Sequence, residues 1–181
     1  MSPQRVSPNK KTSAGISLSP REALAERYTT VRRLSETLCQ PLAPDDYNLQ
    51  AIPEVSPAKW HLAHTTWFFE AFVLGLAGDA AFDPAFGFLF NSYYEAAGPR
   101  VERARRGMLS RPGLDRVHAY RAAIDRRIAA ALADGALDAG ARDRLELGLH
   151  PEQQHQELIL TDLKHVLGTQ PTRPPYRTAP V

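Results

Sequence analysis

Histidine is the residue in this sequence whose type and placement could support chemistry. The chain has six, at positions 61, 64, 118, 150, 155 and 165. A neutral imidazole binds transition metals through a ring nitrogen, so inward-facing histidines on different helices can form a metal site. His64 shares a helical face with Trp60, and His155 shares one with Ile159. Both are predicted to point inward, either as two corners of a metal site or as hydrogen-bonded core residues.

The other histidines carry weaker signals. His61 precedes His64 by one helical turn and is either a further ligand on the same helix or a residue at the rim of the site. His118 and His165 are expected at surface or half-buried positions.

Other reactive side chains indicate no further site. Glu152 and Glu157 flank His155, but carboxylates in a helix of this charge content are expected to be solvated. Cys39 is interpreted as a small core residue. Because the sequence has no phosphate-binding, zinc-protease or nucleophile-elbow motif, no residue is assigned a catalytic role.

A cluster of arginines is the second local feature, and it precedes the third helical segment. The cluster consists of Arg100, Arg103, Arg105, Arg106 and Arg111. Guanidinium groups at this density can clamp a carboxylate or a phosphate, and the alternative is a solvated basic loop. Tyr93 and Tyr94, just upstream, are candidates for the wall of a small-molecule pocket beside the arginines.

Composition limits the classes of protein that can carry these residues. The 181 residues, of which 43% are hydrophobic, suffice for one domain with a buried core. A formal net charge of +2 gives no general attraction to nucleic acid or to an anionic membrane. No apolar run is long enough to span a bilayer, and no secretory signal is evident. A single cysteine agrees with a reducing compartment, so a cytoplasmic location is expected.

Four helical patterns must position the histidines. The first begins with a capping box at Ser19, has an apolar stripe of Leu24, Tyr28, Val31, Leu34 and Leu38, and ends at Pro41. The second begins at Ser56-Pro57 and ends near Gly75. The third runs from about Arg111-Pro112 to Ala133, and the fourth from about Asp138 to Leu167.

The order of these patterns predicts an all-α, four-helix bundle with a long connection, about residues 79–111, between helices 2 and 3. The bundle is expected over residues 19–168. Residues 1–18, rich in Ser, Pro and Lys, are expected to form a disordered tail. Residues 169–181 contain four prolines and are interpreted as a linker or an extended end.

Four strings of the sequence occur together in a specific order: SPAKWHLAHTTWFFE, FLFNSYYEAAGPR, RGMLSRP and LGLHPEQQHQELILTDLKH. They closely resemble the N-terminal DinB-like domain of the hercynine sulfoxide synthases of ergothioneine biosynthesis. The resemblance covers roughly residues 20–175. It implies a DinB-like bundle that supplies three histidines to a mononuclear non-haem iron.

The resemblance also implies the chemistry and its substrates. In that family the iron activates dioxygen to join the sulfur of a thiol, cysteine or γ-glutamylcysteine, to the imidazole of hercynine. Matched by motif, His64 and His155 are the implied Fe(II) ligands. Arg100 and Arg103 are the implied clamp for the carboxylate of the thiol substrate.

One ligand position departs from the family pattern HEQQH, in which the two histidines lie one turn apart. Here Pro151 occupies the first of these positions, and proline has no side-chain donor. His150 is the nearest substitute, but five residues from His155 it lies about 140° around the helix, against about 40° for a spacing of four. His150 is therefore expected to reach the metal only if Pro151 breaks or bulges the helix.

The sequence leaves two main hypotheses for the function; a third, another DinB-like activity such as metal-dependent thiol transfer, fits the fold but not these motifs. Family members continue into a larger C-terminal domain, and this chain is expected to be incomplete as a stand-alone enzyme because its sequence ends in the linker. The first hypothesis is an iron-binding domain of a sulfoxide synthase. The second is a non-catalytic binding or assembly module that has lost its metal and pairs with a separately encoded C-terminal domain. Nucleic-acid and membrane partners are not expected.

Overall fold

The protein is built from helices joined by turns. A computed structural model describes residues 18–92 and 98–177, and these residues contain no β-strand. The helices are α1 (Pro20–Cys39), α2 (Ala58–Phe68), α3 (Phe86–Phe90), α4 (Leu114–Ala133) and α5 (Ala139–Thr169). The prediction of an all-α fold is confirmed. The four longest helices correspond to the four sequence patterns, and the short α3 lies in the connection between α2 and α4. Tyr93 and Tyr94, and the expected tail up to residue 17, lie outside the described residues.

Helix α1 begins at the predicted capping box. The backbone N–H of Glu22 donates to Ser19 Oγ at 3.3 Å, and the backbone N–H of Ser19 donates to the Glu22 carboxylate at 2.7 Å. These two bonds satisfy donors that a helix N-terminus leaves open.

The buried face of α1 differs from the predicted apolar stripe. It consists of Tyr28, Arg32, Ser35 and Cys39, so two of its four members are polar or charged. Leu34, predicted to be in the stripe, is 45% exposed. The burial of Cys39 agrees with its interpretation as a core residue.

Helix α2 runs through the centre of the molecule. All but the last of its eleven residues are buried, and it packs against both α4 and α5. The helix continues as one π-helical turn over Phe69–Val73. The chain then turns at Gly75, whose φ of 65° is a conformation that glycine adopts without steric cost. The aromatic residues that follow, Phe86 and Phe90 of α3, are buried in the same core.

Helix α5 is the longest helix and carries two of the three predicted metal ligands, His150 and His155. The Asp138 side chain caps its N-terminus by accepting a hydrogen bond from the backbone N–H of Ala141 at 2.6 Å. The helix is continuous from Ala139 to Thr169 and contains Pro151. Near its middle Gly148 lies against α2 and the π-helical turn, where an added Cβ would be 2.5 Å from Phe68 Cε1 and 2.8 Å from Phe69 Cε1.

A buried ionic cluster joins α1, α4 and α5. Glu152 of α5 accepts hydrogen bonds from Arg32 at 3.0 Å, from Arg121 at 2.6 Å and from Ser35 at 2.7 Å. The expectation that Glu152 is solvated is wrong: its side chain is 1% exposed. Burial alone would raise the pKa of this carboxyl, but the charges of Arg32 and Arg121, with the hydrogen bonds, lower it to about 2.

The proline-rich segment after α5 folds back onto α1. The Tyr176 hydroxyl donates a hydrogen bond to the backbone carbonyl of Leu38 at 2.5 Å, and its ring packs on the core. Residues 178–181 of the predicted linker lie outside the described residues. None of the helices in the described part of the chain is both long and apolar enough to cross a membrane.

Candidate functional site

Three histidine rings meet between α2 and α5. His61 and His64 lie one turn apart on α2, and His155 extends toward them from α5. The centroid of the His155 ring lies 4.8 Å from that of His64 and 5.1 Å from that of His61. The side chains of His61 and His64 are 2% and 6% exposed. We call these three residues the histidine cluster.

Both ring nitrogens of His61 have hydrogen-bond partners. Its Nδ1 lies 2.8 Å from Nδ1 of His155, and its Nε2 lies 3.0 Å from Oδ2 of Asp162. The buried position of His61 does not fit the rim position considered from the sequence. With both nitrogens engaged, His61 has no nitrogen left for a metal in this arrangement.

His64 has one nitrogen bonded and one open. Its Nδ1 lies 2.6 Å from the backbone carbonyl oxygen of Phe90, so Nδ1 must carry the proton because a carbonyl only accepts. Its Nε2 has no hydrogen-bond partner among the described residues. The ring stacks on Trp60, with centroids 4.6 Å apart and planes 11° apart, and on Trp67 at 6.0 Å. A protonated Nδ1 leaves the Nε2 lone pair available for a metal.

The environment keeps the histidine cluster uncharged. Burial lowers the pKa of His64 to about 4 and that of His155 to about 2. Burial also lowers the pKa of His61, although Asp162 opposes this effect. Neutral imidazole is the form that binds a metal, so near neutral pH these rings are already in that form.

Arg106 is the member of the arginine cluster that lies inside the fold. Its guanidinium carbon is 3.4 Å from the centroid of the Trp60 ring, and it donates to Ser56 Oγ at 2.9 Å and to Ser92 Oγ at 3.1 Å. Its positive charge contributes to the lowered pKa of all three rings of the histidine cluster. Arg100 and Arg103, the sequence-predicted clamp, are exposed.

His150 does not join the histidine cluster. Helix α5 continues through Pro151 without a break, so the condition under which His150 was expected to reach the metal is not met. His150 is exposed, whereas the cluster is largely buried. Pro151 is half-buried one turn before His155, at the position where a third histidine would share the face of His155.

The donor set of the histidine cluster fits two of the three implied iron ligands. Nε2 of His64 and Nε2 of His155 have no hydrogen-bond partner among the described residues. In residues 18–92 and 98–177 no group of three or more His, Cys, Asp or Glu side chains is arranged to hold a metal ion. The described residues therefore offer two of the three histidine ligands that the resemblance implies.

Sequence reasoning missed two residues of the site. Asp162 follows His155 by seven residues, which is two helical turns on the same face, and that spacing was a usable signal. Arg106 was recognised only as one of five clustered arginines. No local pattern distinguishes it, because its burial depends on Trp60, Ser56 and Ser92, which are distant in sequence.

Comparison with known protein families places the chain in a class. Residues 27–175 match the DinB superfamily, a span that includes all of the histidine cluster and every helix after α1. The chain belongs to the DinB superfamily. A comparison with curated proteins finds none that matches it.

Proposed function

We propose that this DinB-superfamily domain binds a divalent transition metal, Fe(II) first among them, through Nε2 of His64 and Nε2 of His155. The observation that carries the proposal is the pair of uncharged imidazoles contributed by two different helices. In each ring Nδ1 has a hydrogen-bond partner and Nε2 has none in the described part of the chain. Metal-binding histidines characteristically use one nitrogen for the metal and the other for an orienting hydrogen bond.

The proposed reaction is that of a hercynine sulfoxide synthase. Support comes from the four motifs that resemble this family, all of which contribute residues to the histidine cluster or beside it. When bound, iron would supply activation of dioxygen for joining a thiol sulfur to hercynine. Within the chain, Arg106 places a positive charge beside the cluster, and Arg100 and Arg103 are the proposed exposed contacts for a substrate carboxylate.

A second candidate is a binding module that holds no metal. Two observations favour it: Pro151 occupies the position of the third ligand, and the cluster is already joined by the His61–His155 hydrogen bond. In this case the histidines serve as packed core residues that join α2 to α5.

A metal titration separates the two candidates. Fe(II) added without oxygen, and Co(II) added as a spectroscopic probe, should bind the purified chain at one equivalent by calorimetry. His64→Ala and His155→Ala each remove one of the two proposed ligands. We expect each to weaken binding by more than about 100-fold, since loss of an outer-shell partner alone costs about 10- to 100-fold.

The matched control is His150→Ala, which removes an exposed histidine from α5 five residues before His155. It should leave the affinity unchanged. Failure of the chain to take up Fe(II) or Co(II) at saturating metal would favour the binding module instead. If metal is bound, mass spectrometry of mixtures with hercynine, a thiol and oxygen tests the sulfoxide synthase assignment directly.

A further inference from the structure

A hydrogen-bonded chain runs from Asp162 of α5 to His61 of α2 and from there to His155, which again lies on α5. Oδ2 of Asp162 lies 3.0 Å from Nε2 of His61, and Nδ1 of His61 lies 2.8 Å from Nδ1 of His155. Asp162 and His155 are two helical turns apart on one helix, so His61 bridges two residues of the same face. The chain ends at the His155 ring, whose remaining nitrogen is Nε2.

The direction of donation begins at Asp162. Its Oδ2 accepts a hydrogen bond from the backbone N–H of Ser56 at 2.9 Å. A backbone N–H can only donate, and an ionised carboxylate can only accept. The carboxylate oxygen facing His61 is thereby used as an acceptor, so His61 donates to it and carries its proton on Nε2.

The proton on Nε2 of His61 determines the position of the proton on His155. A neutral imidazole with its proton on Nε2 has a lone pair on Nδ1 and is an acceptor there. A doubly protonated His61 is disfavoured because its ring is only 2% exposed and a buried cation loses its hydration. His155 must therefore donate from its own Nδ1, since two facing lone pairs would repel.

We propose that Asp162 and His61 act as a positioning relay that fixes His155 in the tautomer with the proton on Nδ1 and the lone pair on Nε2. His61 is then a positioning residue rather than a metal ligand. This inference deepens the proposed function, since the prepared lone pair serves a metal there. The tautomer itself, however, is a property of the metal-free chain.

The relay reverses the tautomer that His155 would otherwise prefer. Histidine in water populates the tautomer protonated on Nε2 more than the one protonated on Nδ1, so an unassisted His155 would carry its proton on the nitrogen needed for the metal. At His64 the backbone carbonyl of Phe90 has the same effect, because it accepts a hydrogen bond from Nδ1 and fixes the proton there. Two different acceptors thus give both rings the same tautomer.

Nuclear magnetic resonance of the metal-free full chain tests the relay. Long-range proton–nitrogen spectra of the ¹⁵N-labelled protein distinguish a protonated ring nitrogen from an unprotonated one, and His155→Gln assigns the His155 signals. We expect a protonated Nδ1 and an unprotonated Nε2 at His155. A proton on Nε2 of His155 in the wild type would by itself overturn the proposal.

Two variants test whether the relay causes this preference. His61→Phe replaces the acceptor for His155 by a somewhat larger apolar ring, and Asp162→Val removes the acceptor for His61. In both, the proton of His155 should move largely from Nδ1 to Nε2. Glu157→Gln is the matched control, because it neutralises an exposed carboxylate on the same helix and should leave the His155 spectrum unchanged. If His155 keeps its wild-type tautomer in folded His61→Phe and Asp162→Val, the relay is not its cause.

A metal titration of the same variants separates the two proposals. His61→Phe is expected to lower metal affinity by about 10- to 100-fold, the usual effect of losing an orienting partner. No metal uptake by the wild type, together with the expected His155 tautomer, would reject the proposed function and keep the relay. Tight metal binding with the opposite tautomer in the metal-free chain would reject the relay and keep the proposed function.

Discussion

Pro151 affects both the backbone of α5 and the set of donor atoms that the site offers. It stands one turn before His155 in the interior of α5, where proline has no N–H for the carbonyl of Leu147. Leu147 is 61% exposed, so water can reach this side of the helix and satisfy the carbonyl. Exposure therefore reduces the cost of the missing hydrogen bond. The side chain at 151 nevertheless gives the site no donor atom.

Substitution of Pro151 separates the backbone effect from the ligand effect. Pro151→Ala and Pro151→His both restore the backbone donor, so each should raise the free energy of unfolding of the metal-free chain, by about 1–3 kcal/mol. Only Pro151→His adds an imidazole to the face of His155. It should therefore bind Fe(II) or Co(II) more tightly than the wild type, while Pro151→Ala should not.

Urea unfolding without metal and calorimetric metal titration measure the two effects independently. Equal metal affinity in Pro151→Ala and Pro151→His would show that position 151 does not contribute a ligand. A destabilised Pro151→Ala would show that α5 is adapted to the proline.

At the scale of the helices, close contact between α2 and α5 brings the histidine rings together. Gly148 permits this contact, because the Phe68 and Phe69 rings occupy the space that a Cβ would need. His155 follows Gly148 by seven residues, two turns further along the helix toward its C-terminus. The separation of the two helices at the glycine therefore influences how closely His155 approaches α2.

Glycine-to-alanine substitutions at two positions of α5 should have opposite effects. Alanine is favoured over glycine in a helix by about 1 kcal/mol. At Gly168 an added Cβ meets nothing within 4 Å, so Gly168→Ala should be stabilising by up to that amount. At Gly148 the added Cβ would overlap two phenylalanine rings, and Gly148→Ala should destabilise the fold by about 1–3 kcal/mol despite its helix propensity. Urea unfolding checks both signs, and a stabilising Gly148→Ala would contradict the proposed close contact.

The helices could be predicted where the signals act within a few residues. The capping box at Ser19 and the proline at position 41 bracket α1 correctly, since capping and the loss of an N–H are local effects. The buried face of α1 could not be predicted from a hydrophobic period. Arg32 is buried because it pairs with Glu152, 120 residues away in the sequence. The short α3 has no periodic signal and was not predicted.

In the candidate site, too, the local features could be predicted and the contacts between helices could not. His64 and His155 were predicted to point inward from the residues around them, and the structure places both at the contact of α2 with α5. The position of His61 between Asp162 and His155 could not be predicted, because both residues approach it from a different helix. Periodicity indicates which way a side chain points but not which partner it meets.

At the scale of the whole molecule, the buried charges join three helices and make the fold sensitive to acid. Glu152 is held between Arg32 and Arg121, and its pKa of about 2 lies below the ordinary value of 4.5. The unfolded chain therefore binds a proton in a pH range where the folded chain does not. The stabilising contribution of Glu152 is complete above pH 4.5 and is lost as the pH falls toward 2.

Removal of the Glu152 charge tests how much the buried ionic cluster contributes to stability. At neutral pH Glu152→Gln leaves two buried guanidinium groups without their shared carboxylate, so the free energy of unfolding should fall by about 3–5 kcal/mol. The variant should also lose less stability than the wild type between pH 4.5 and 2, because the group that titrates there is gone.

The matched control is Glu146→Gln, which breaks the exposed Arg27–Glu146 pair between the same helices α1 and α5. This variant should change the free energy of unfolding by less than about 1 kcal/mol. Urea unfolding across the acidic range measures both variants. Similar losses at neutral pH for Glu152→Gln and Glu146→Gln would contradict the importance of the buried cluster.

The stacking of His64 with both indole rings gives the protein an intrinsic optical reporter. The chain has two tryptophans, Trp60 and Trp67, and both rings stack with His64. All tryptophan fluorescence of the molecule therefore originates beside one proposed metal ligand. A quenching ion or a change in the charge of His64 would alter the emission with no label attached, so occupancy of the cluster can be followed in the unmodified protein during rapid mixing.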